Sequence, residues 1–239
     1  MNNVAIMIDG GYFLKRFPYV YGKVNARDAK AVVECIRSHI ESHLIKLNKT
    51  HKHNNHWSLL FRSFYYDARP YKQQAQLPIS KKSLDYGKTP EAAFRNALFR
   101  ELRKTPNMAL RLGEVRREGK GNRAWHLNPR AQNQLLSGKR NISDLSDDDF
   151  YPAFRQKGVD MRLGIDMASL CLKKQAQTIV LIAGDSDFVP AAKMARREGV
   201  RIILDPLWQN VHDSLFEHID GLYSGVVRPG AQDQMQPEP

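Results

Sequence analysis

The stretch VLIAGDSDFVPAAKMARREGV, residues 180–200, decides how the chain is read. Together with Thr178 and Ile179, its opening run to Ala183 is short, rich in β-branched residues and free of charge. That is the pattern of a strand buried on both faces in a parallel sheet. Such sheets place ligands at the C-terminal ends of their strands, and this end carries Gly184 and two carboxylates one residue apart, Asp185 and Asp187. Ser186 or Asp187 can cap the following helix, Pro190 falls in its first turn, where a missing N–H costs little, and Gly199 supplies the stop. Arg201-Ile202-Ile203-Leu204 then reads as the next strand, ended by Asp205-Pro206. The two acids thus stand on a strand-to-helix turn of a βαβ unit. Taken alone, Asp187 can be no more than an N-cap and Asp185 a turn former; the deciding question is whether other acids converge there.

Working outward, Val4 to Ile8 is a first strand ending in Asp9-Gly10-Gly11, followed by a short helix through Leu14 and Phe17. A long helix spans about Ala26 to Leu47, with Val32, Val33, Ile36, Ile40, Leu44 and Leu47 on a helical period. Trp57 to Tyr66 reads as a second strand, also ended by an acid, Asp67. Residues 68–88 read as an irregular loop. Thr89 caps a helix that Pro90 opens and that reaches about Lys104. Met108–Arg117 and Arg123–Leu127 read as strands joined by the turn Glu118 to Asn122, a basic hairpin. Residues 129–156 take no clear assignment and end in an acidic run, Asp144 to Asp149, read as a solvated loop or helix cap. A helix from Asp160 to about Lys174 feeds the strand at Thr178. One domain over residues 1–224 with a basic insertion at about 68–156 is expected, and residues 225–239, with Pro229, Pro237 and Pro239, are expected to be a disordered tail.

The chain has 239 residues, 42% of them hydrophobic, enough for a real core. No long apolar run suggests a membrane span, and the start MNNVAIMIDGG does not read as a signal peptide, so a cytoplasmic location is expected. The two cysteines, Cys35 and Cys171, read as buried thiols. Net charge is +12, and Arg95 to Arg140 holds twelve lysines and arginines against three acids. An excess concentrated in one region is what binding a polyanion requires. Tyr65, Tyr66, Tyr71, Tyr86, Phe94, Phe99 and Trp125 lie in or near it, offering faces for unpaired bases, although most suit a core equally well.

The acids line up. Asp9 ends the first strand, Asp67 the second, Asp185 and Asp187 the one after the helix, and Asp160 and Asp166 lie on that helix. Parallel neighbouring strands would gather these carboxylates at one edge, where they repel one another unless a cation sits among them. Oxygen-only ligation favours Mg²⁺ or Mn²⁺ over Zn²⁺. A metal there polarises a phosphodiester and activates a water. Basic charge beside an acidic metal site points to nuclease chemistry.

Ile8-Asp9-Gly10-Gly11-Tyr12-Phe13, Tyr65-Tyr66-Asp67, Lys157-Gly158-Val159-Asp160 with Asp166 on the same helix, and Gly184-Asp185-Ser186-Asp187-Phe188-Val189-Pro190 resemble the NYN domain, in the LabA-like branch of the PIN-like superfamily. The resemblance runs from Val4 to about Tyr223, with four motifs in order. It implies a Rossmann-like three-layer α/β/α sandwich with a mainly parallel sheet, and a Mg²⁺- or Mn²⁺-dependent ribonuclease. By motif position Asp9, Asp185 and Asp187 would be metal-binding acids. For the helix acid two positions stay open: Asp166 has the spacing to Asp185 seen in PIN domains, whereas Asp160 stands in the family's K-G-x-D motif. Many NYN domains read D-G-x-N at the first strand, and here the Asn position is Tyr12.

Arg111, Arg116, Arg117, Lys120, Arg123 and Lys157 are the expected contacts to RNA phosphates, and Asp67 either positions a water or only ends its strand. His39 and His43, four apart on a helix, with His51, His53 and His56 after them, offer nitrogen ligands without a third at a recognisable spacing. Three function classes stay open: a metal-dependent endoribonuclease, an RNA-binding module whose metal site is inactive, and a small-molecule phosphohydrolase. The first strand lacks a D-x-D, and Gly10-Gly11 does not make the G-x-G-x-x-G of a dinucleotide site. Homo-oligomerisation is left open.

Overall fold

Nothing in Val4-Ala5-Ile6-Met7-Ile8 can be left in water at little cost, and all five side chains are buried, Ile6, Met7 and Ile8 completely. The computed structural model describes residues 3–23, 25–51, 53–119 and 124–229. Its strands are β1 (Val4–Asp9), β2 (Leu60–Arg69), β3 (Gln74–Gln76), β4 (Ser83–Asp85), β5 (Met108–Arg117), β6 (Trp125–Leu127), β7 (Phe150–Pro152), β8 (Phe154–Lys157), β9 (Thr178–Ile182), β10 (Arg201–Asp205) and β11 (Gly221–Leu222). Seven of them form the main sheet, in the order β11-β10-β9-β1-β2-β5-β8. β1 is parallel to β2 and to β9, and β9 and β10 are parallel. The uncharged runs of β1, β9 and β10 are explained by this position, flanked on both edges and covered on both faces.

Parallel neighbours need crossovers, and the chain supplies helices: α1 (Gly10–Val20), α2 (Ala29–His51), α3 (Pro90–Lys104), α4 (Pro129–Leu136), α5 (Val159–Leu172), α6 (Val189–Arg197) and α7 (Asp213–Phe216). From β1 the chain steps to β2 through α1 and α2, and from β9 it steps the opposite way to β10 through α6. Right-handed crossovers in opposite directions put their helices on opposite faces, giving the expected three layers. Val32, Val33, Ile36, Ile40, Leu44 and Leu47 of α2 are all buried, each contributing about 1.5–3 kcal/mol over an exposed position. α2 begins at Ala29 rather than at about Ala26 because Asp28 takes the cap, its Oδ1 accepting the Lys30 N–H at 2.9 Å.

The chain separates into two compact units, Met1–Asp67 with Ala97–Leu112 and Gly158–Pro239, and Ala68–Asn96 with Gly113–Lys157. In the second, residues 68–88 are not an irregular loop: β3 and β4 pair antiparallel and a short 3₁₀ turn follows, capped by Asp85. The expected basic hairpin does not form. β5 pairs antiparallel with β8, from Glu114 opposite Lys157 to Arg117 opposite Phe154, and β6 pairs with β7, Trp125 opposite Pro152. The reason lies in the unassigned stretch 129–156, whose β7 and β8 offer each strand a partner. The expected turn lies partly outside the described residues, as do Lys120 and Arg123. The acidic run acts as a cap: Asp149 closes a turn on Ser146 and accepts both arms of Arg140 at 2.7 Å. Of the expected tail, Gly225 and Val226 accept or donate bonds to the fold, and residues 230–239 lie outside the described ones. Cys35 is half-buried and Cys171 buried, both as free thiols.

Candidate active site

β1 is where the strand order turns, so the crevice of an open α/β sheet lies at the C-terminal ends of β1 and its neighbours. The ladders align these ends. Ile8 pairs with Ile182, so Asp9 is level with the residues just after β9, and Asp9 itself is opposite Tyr66, one before the buried Asp67.

Asp9 is the N-cap of α1, its Oδ1 accepting the Tyr12 N–H at 3.0 Å. Burial pushes its carboxyl up to about 6 against that hydrogen bond, with the charges of Asp160 and Asp67 adding to the rise. On β9's side, the cap expectation is corrected. Asp185, not Ser186 or Asp187, does the capping: its Oδ1 accepts the Asp187 N–H at 3.1 Å and opens a 3₁₀ turn, Ser186–Phe188. α6 starts after it with Pro190 in its first turn and no side-chain cap, so the Asp187 carboxylate caps nothing. Gly199, with φ of 75°, follows the helix end as expected.

Gly158, left-handed at φ 75°, turns the chain into α5, whose first turn carries Asp160. Partial burial raises the Asp160 carboxyl, and Asp185 and Asp187 raise it further. Asp166 is elsewhere, about 9 Å further along the helix and about 120° around it. Its Oδ2 accepts Arg111 Nε at 2.8 Å and the Tyr66 hydroxyl at 3.0 Å. Asp160 is thus near enough for its charge to act on Asp9 and for those of Asp185 and Asp187 to act on it, with Asp67 also acting on Asp9, whereas Asp166 is turned to other partners; among the described residues no three of these carboxylates bring ligand oxygens within 4.8 Å of one another. Among the described residues no lysine, arginine or histidine pairs with Asp9, Asp160, Asp185 or Asp187. Oxygen donors that repel one another and lack a protein counter-charge suit a hard divalent cation.

Two glycines are explained by rings. A Cβ on Gly10 would stand 2.4 Å from the Tyr65 ring, and one on Gly184 2.4 Å from the Tyr12 ring. Tyr12 is pinned by its hydroxyl, which donates to the Pro206 carbonyl at 2.5 Å. The Tyr12 ring thus spans from α1 to the end of β10.

Arg111, expected at substrate, is engaged with Asp166 and lies 5.5 Å from the centre of the Phe64 ring. Arg116, Arg117 and Lys157 belong to the second unit: Arg116 reaches Glu114 at 3.3 Å, Arg117 lies over the Trp125 ring, and Lys157 is exposed.

The third ligand missing from the histidine pattern is supplied by tertiary structure. Asp205, at the end of β10, accepts His39 Nε2 at 2.6 Å and His43 Nε2 at 2.7 Å on one oxygen, which also accepts the Gly225 N–H at 2.8 Å. The Tyr21 hydroxyl lies 2.6 Å from His39 Nδ1. Burial pushes Asp205 up, but the two histidine hydrogen bonds outweigh it and hold the carboxyl well below its usual range. All three side chains are fully buried, and their ligand atoms lie within 4.8 Å of one another, so the group could hold a metal. The distances are those of hydrogen bonds to a carboxylate. The signal for it was Asp205-Pro206, read only as a strand end.

Among the described residues no helix is long and apolar enough to cross a membrane. An NYN domain is found at residues 96–214. This supports a PIN-like, nuclease-type fold. No curated protein matches the sequence. A solved structure of a protein of unknown function from Vibrio parahaemolyticus is similar at 10% identity over 92% of this chain and 91% of its own, with a TM-score of 0.45.

Proposed function

We propose that the protein is a metal-dependent ribonuclease of the LabA-like kind, hydrolysing RNA phosphodiesters at Asp9, Asp160, Asp185 and Asp187 with Mg²⁺ or Mn²⁺. The observation that supports the reading is that Asp160 of α5 acts electrostatically on Asp9 and is acted on by Asp185 and Asp187, near the C-terminal ends of β1 and β9, with no lysine, arginine or histidine paired with any of the four among the described residues. Bound there, a divalent ion would polarise the phosphodiester and activate water. Asp9 and the Asp185 and Asp187 turn would hold it from the ends of two strands and Asp160 from α5. Burial above all, with Asp160 and Asp67 adding to it, pushes the Asp9 carboxyl up to about 6, so a bound cation would have to compete with that proton. Arg116, Arg117 and Lys157 supply charge for the phosphates of the strand, as would Lys120 and Arg123.

One observation favours a second reading, an RNA-binding module without cleavage: Tyr12 replaces the family's Asn and is tied to Pro206. Incubating the purified chain with labelled RNA separates the two. Cleavage with Mg²⁺ or Mn²⁺ that stops in excess EDTA supports the nuclease; RNA bound but intact under every metal supports the module; cleavage unchanged by EDTA defeats the metal-dependent mechanism.

A further inference from the structure

Three aromatic rings of the second unit meet around a cavity of about 450 Å³: Tyr71, Tyr86 and Phe154, with ring centres 4.9 to 5.5 Å apart. The volume falls within the roughly 300–1,000 Å³ of small-molecule sites. Two features say that the cavity is built for a ligand with polar edges. The Tyr86 residue is only 7% exposed, yet its hydroxyl has no hydrogen-bond partner; a buried polar group left unpaired is unfavourable and is relieved by an incoming partner. Phe154, by contrast, is 38% exposed, a large ring face left to solvent.

A second groove shares Pro70, Tyr71 and Val115 with this cavity and carries Arg69, Lys72, Arg116 and Arg117 against one acid, Glu114. Arg117 Nε is also buried without a partner. Apolar stacking faces next to concentrated positive charge match one ligand chemistry, a base with its phosphates. A purely apolar ligand would gain nothing from the arginines, and a bare anion nothing from the rings.

We infer that this unit captures an unpaired nucleobase of the RNA strand against the exposed face of Phe154, which Tyr71 and Tyr86 back, while Arg69, Lys72, Arg116 and Arg117 take the flanking phosphates. The inference rests on RNA being the substrate class proposed above. Stacking tolerates any base, because each has a π-face, so the site selects single strands over duplexes rather than one sequence.

The test is binding, measured by fluorescence anisotropy in EDTA on the full chain, so that cleavage plays no part. The probes are a single-stranded RNA of about a dozen nucleotides, an abasic strand of the same length, a duplex and a mononucleotide. Phe154→Ala and Tyr71→Ala should each weaken the base-bearing strand about tenfold or more and leave the abasic strand unchanged. Phe154→Trp keeps a stacking face and should bind as the parent does, which separates lost stacking from misfolding. Lys72→Ala and Arg116→Ala should weaken both strands alike and flatten the salt dependence. An aromatic variant that loses the abasic strand equally, or that still binds the base-bearing strand fully, overturns the inference; so does a mononucleotide that binds as tightly as the strand, or a duplex that does. A protein with this binding pattern that cleaves nothing keeps the pocket and loses the nuclease. One that cleaves RNA while Phe154→Ala binds unaltered keeps the nuclease and loses the pocket.

Discussion

The Tyr12 ring occupies the space that a side chain on Gly184 would need, 2.4 Å from the position of its Cβ. Gly184→Ala must therefore push the ring, and with it the hydroxyl that donates to Pro206. The cost should be about 1–3 kcal/mol, the usual range for overpacking. Tyr12→Ala should be destabilising alone but should cancel most of the Gly184→Ala effect. A double-mutant cycle in urea checks this; additive costs would mean that the two positions do not meet.

Asp185→Asn and Asp187→Asn keep size and turn-forming ability but remove charge. RNA cleavage should fall by orders of magnitude in each, since a bound metal supplies several kcal/mol of transition-state stabilisation. Asn caps about as well as Asp, so the Asp185 turn should persist, and melting of the metal-free protein should be equal or higher as repulsion is relieved. Full cleavage in both variants would falsify the assignment of these acids.

The two acids of α5 should separate cleanly. Asp160→Asn is expected to abolish Mn²⁺ binding at the sheet edge with little loss of stability. Asp166→Asn should leave Mn²⁺ binding intact but cost about 1–3 kcal/mol, because Arg111 and Tyr66 lose a half-buried charged partner. Calorimetric titration with Mn²⁺ beside thermal melts reads both; the reverse pattern would return the site to Asp166.

Metal affinity should depend on pH through Asp9, whose carboxyl is pushed up to about 6 by burial and by its acidic neighbours. A cation must displace that proton, so affinity should fall about tenfold per unit below pH 6 and level off above pH 7. The same raised value means that the folded chain binds this proton more tightly than the unfolded one. Above pH 6, where that proton is lost, Asp9→Asn should therefore stabilise the metal-free protein. Titrations at several pH values check the first part and melts the second.

The His39–Asp205–His43 cluster should give the opposite pH response. Burial lowers the His43 imidazole despite its hydrogen bond to Asp205, so the unfolded chain takes a proton that the native one resists. Stability should drop as pH falls through about 6.5. Asp205, held below its usual range, loses its contribution in the same direction below about pH 4. His43→Gln can still donate to Asp205 and should flatten the slope between pH 7 and 5. Thermal melts across that window, each kcal/mol appearing as about 2–4 °C, would show no flattening if His43 were not the titrating group.

What could be read from the linear chain was whatever physics acts locally. Uncharged β-branched runs gave β1, β9 and β10, the 3.6-residue period gave the buried face of α2, and Pro190 and Gly199 bounded α6, because period, backbone freedom and missing donors are properties of adjacent residues. The coincidence of Asp9 and of the Asp185–Asp187 turn with strand ends was legible for the same reason, whereas the strand read as Trp57 to Tyr66 and ended by Asp67 begins at Leu60 and runs through Asp67 to Arg69. Which acids meet was not legible. Asp160 and Asp166 look equivalent in sequence, and only the turn of α5 and the presence of Arg111 and Tyr66 around one of them tell them apart. Strand partners were equally hidden: β5 and β6 look like a hairpin until β8 and β7 fold back beside them, since pairing is decided by which edges are free in space. The same holds for Asp205, separated by 166 residues from His39 and 2.6 Å away from it. Long-range hydrogen bonds and ring contacts, including Tyr12 on Gly184, depend on packing between elements, and no window along the chain contains both partners.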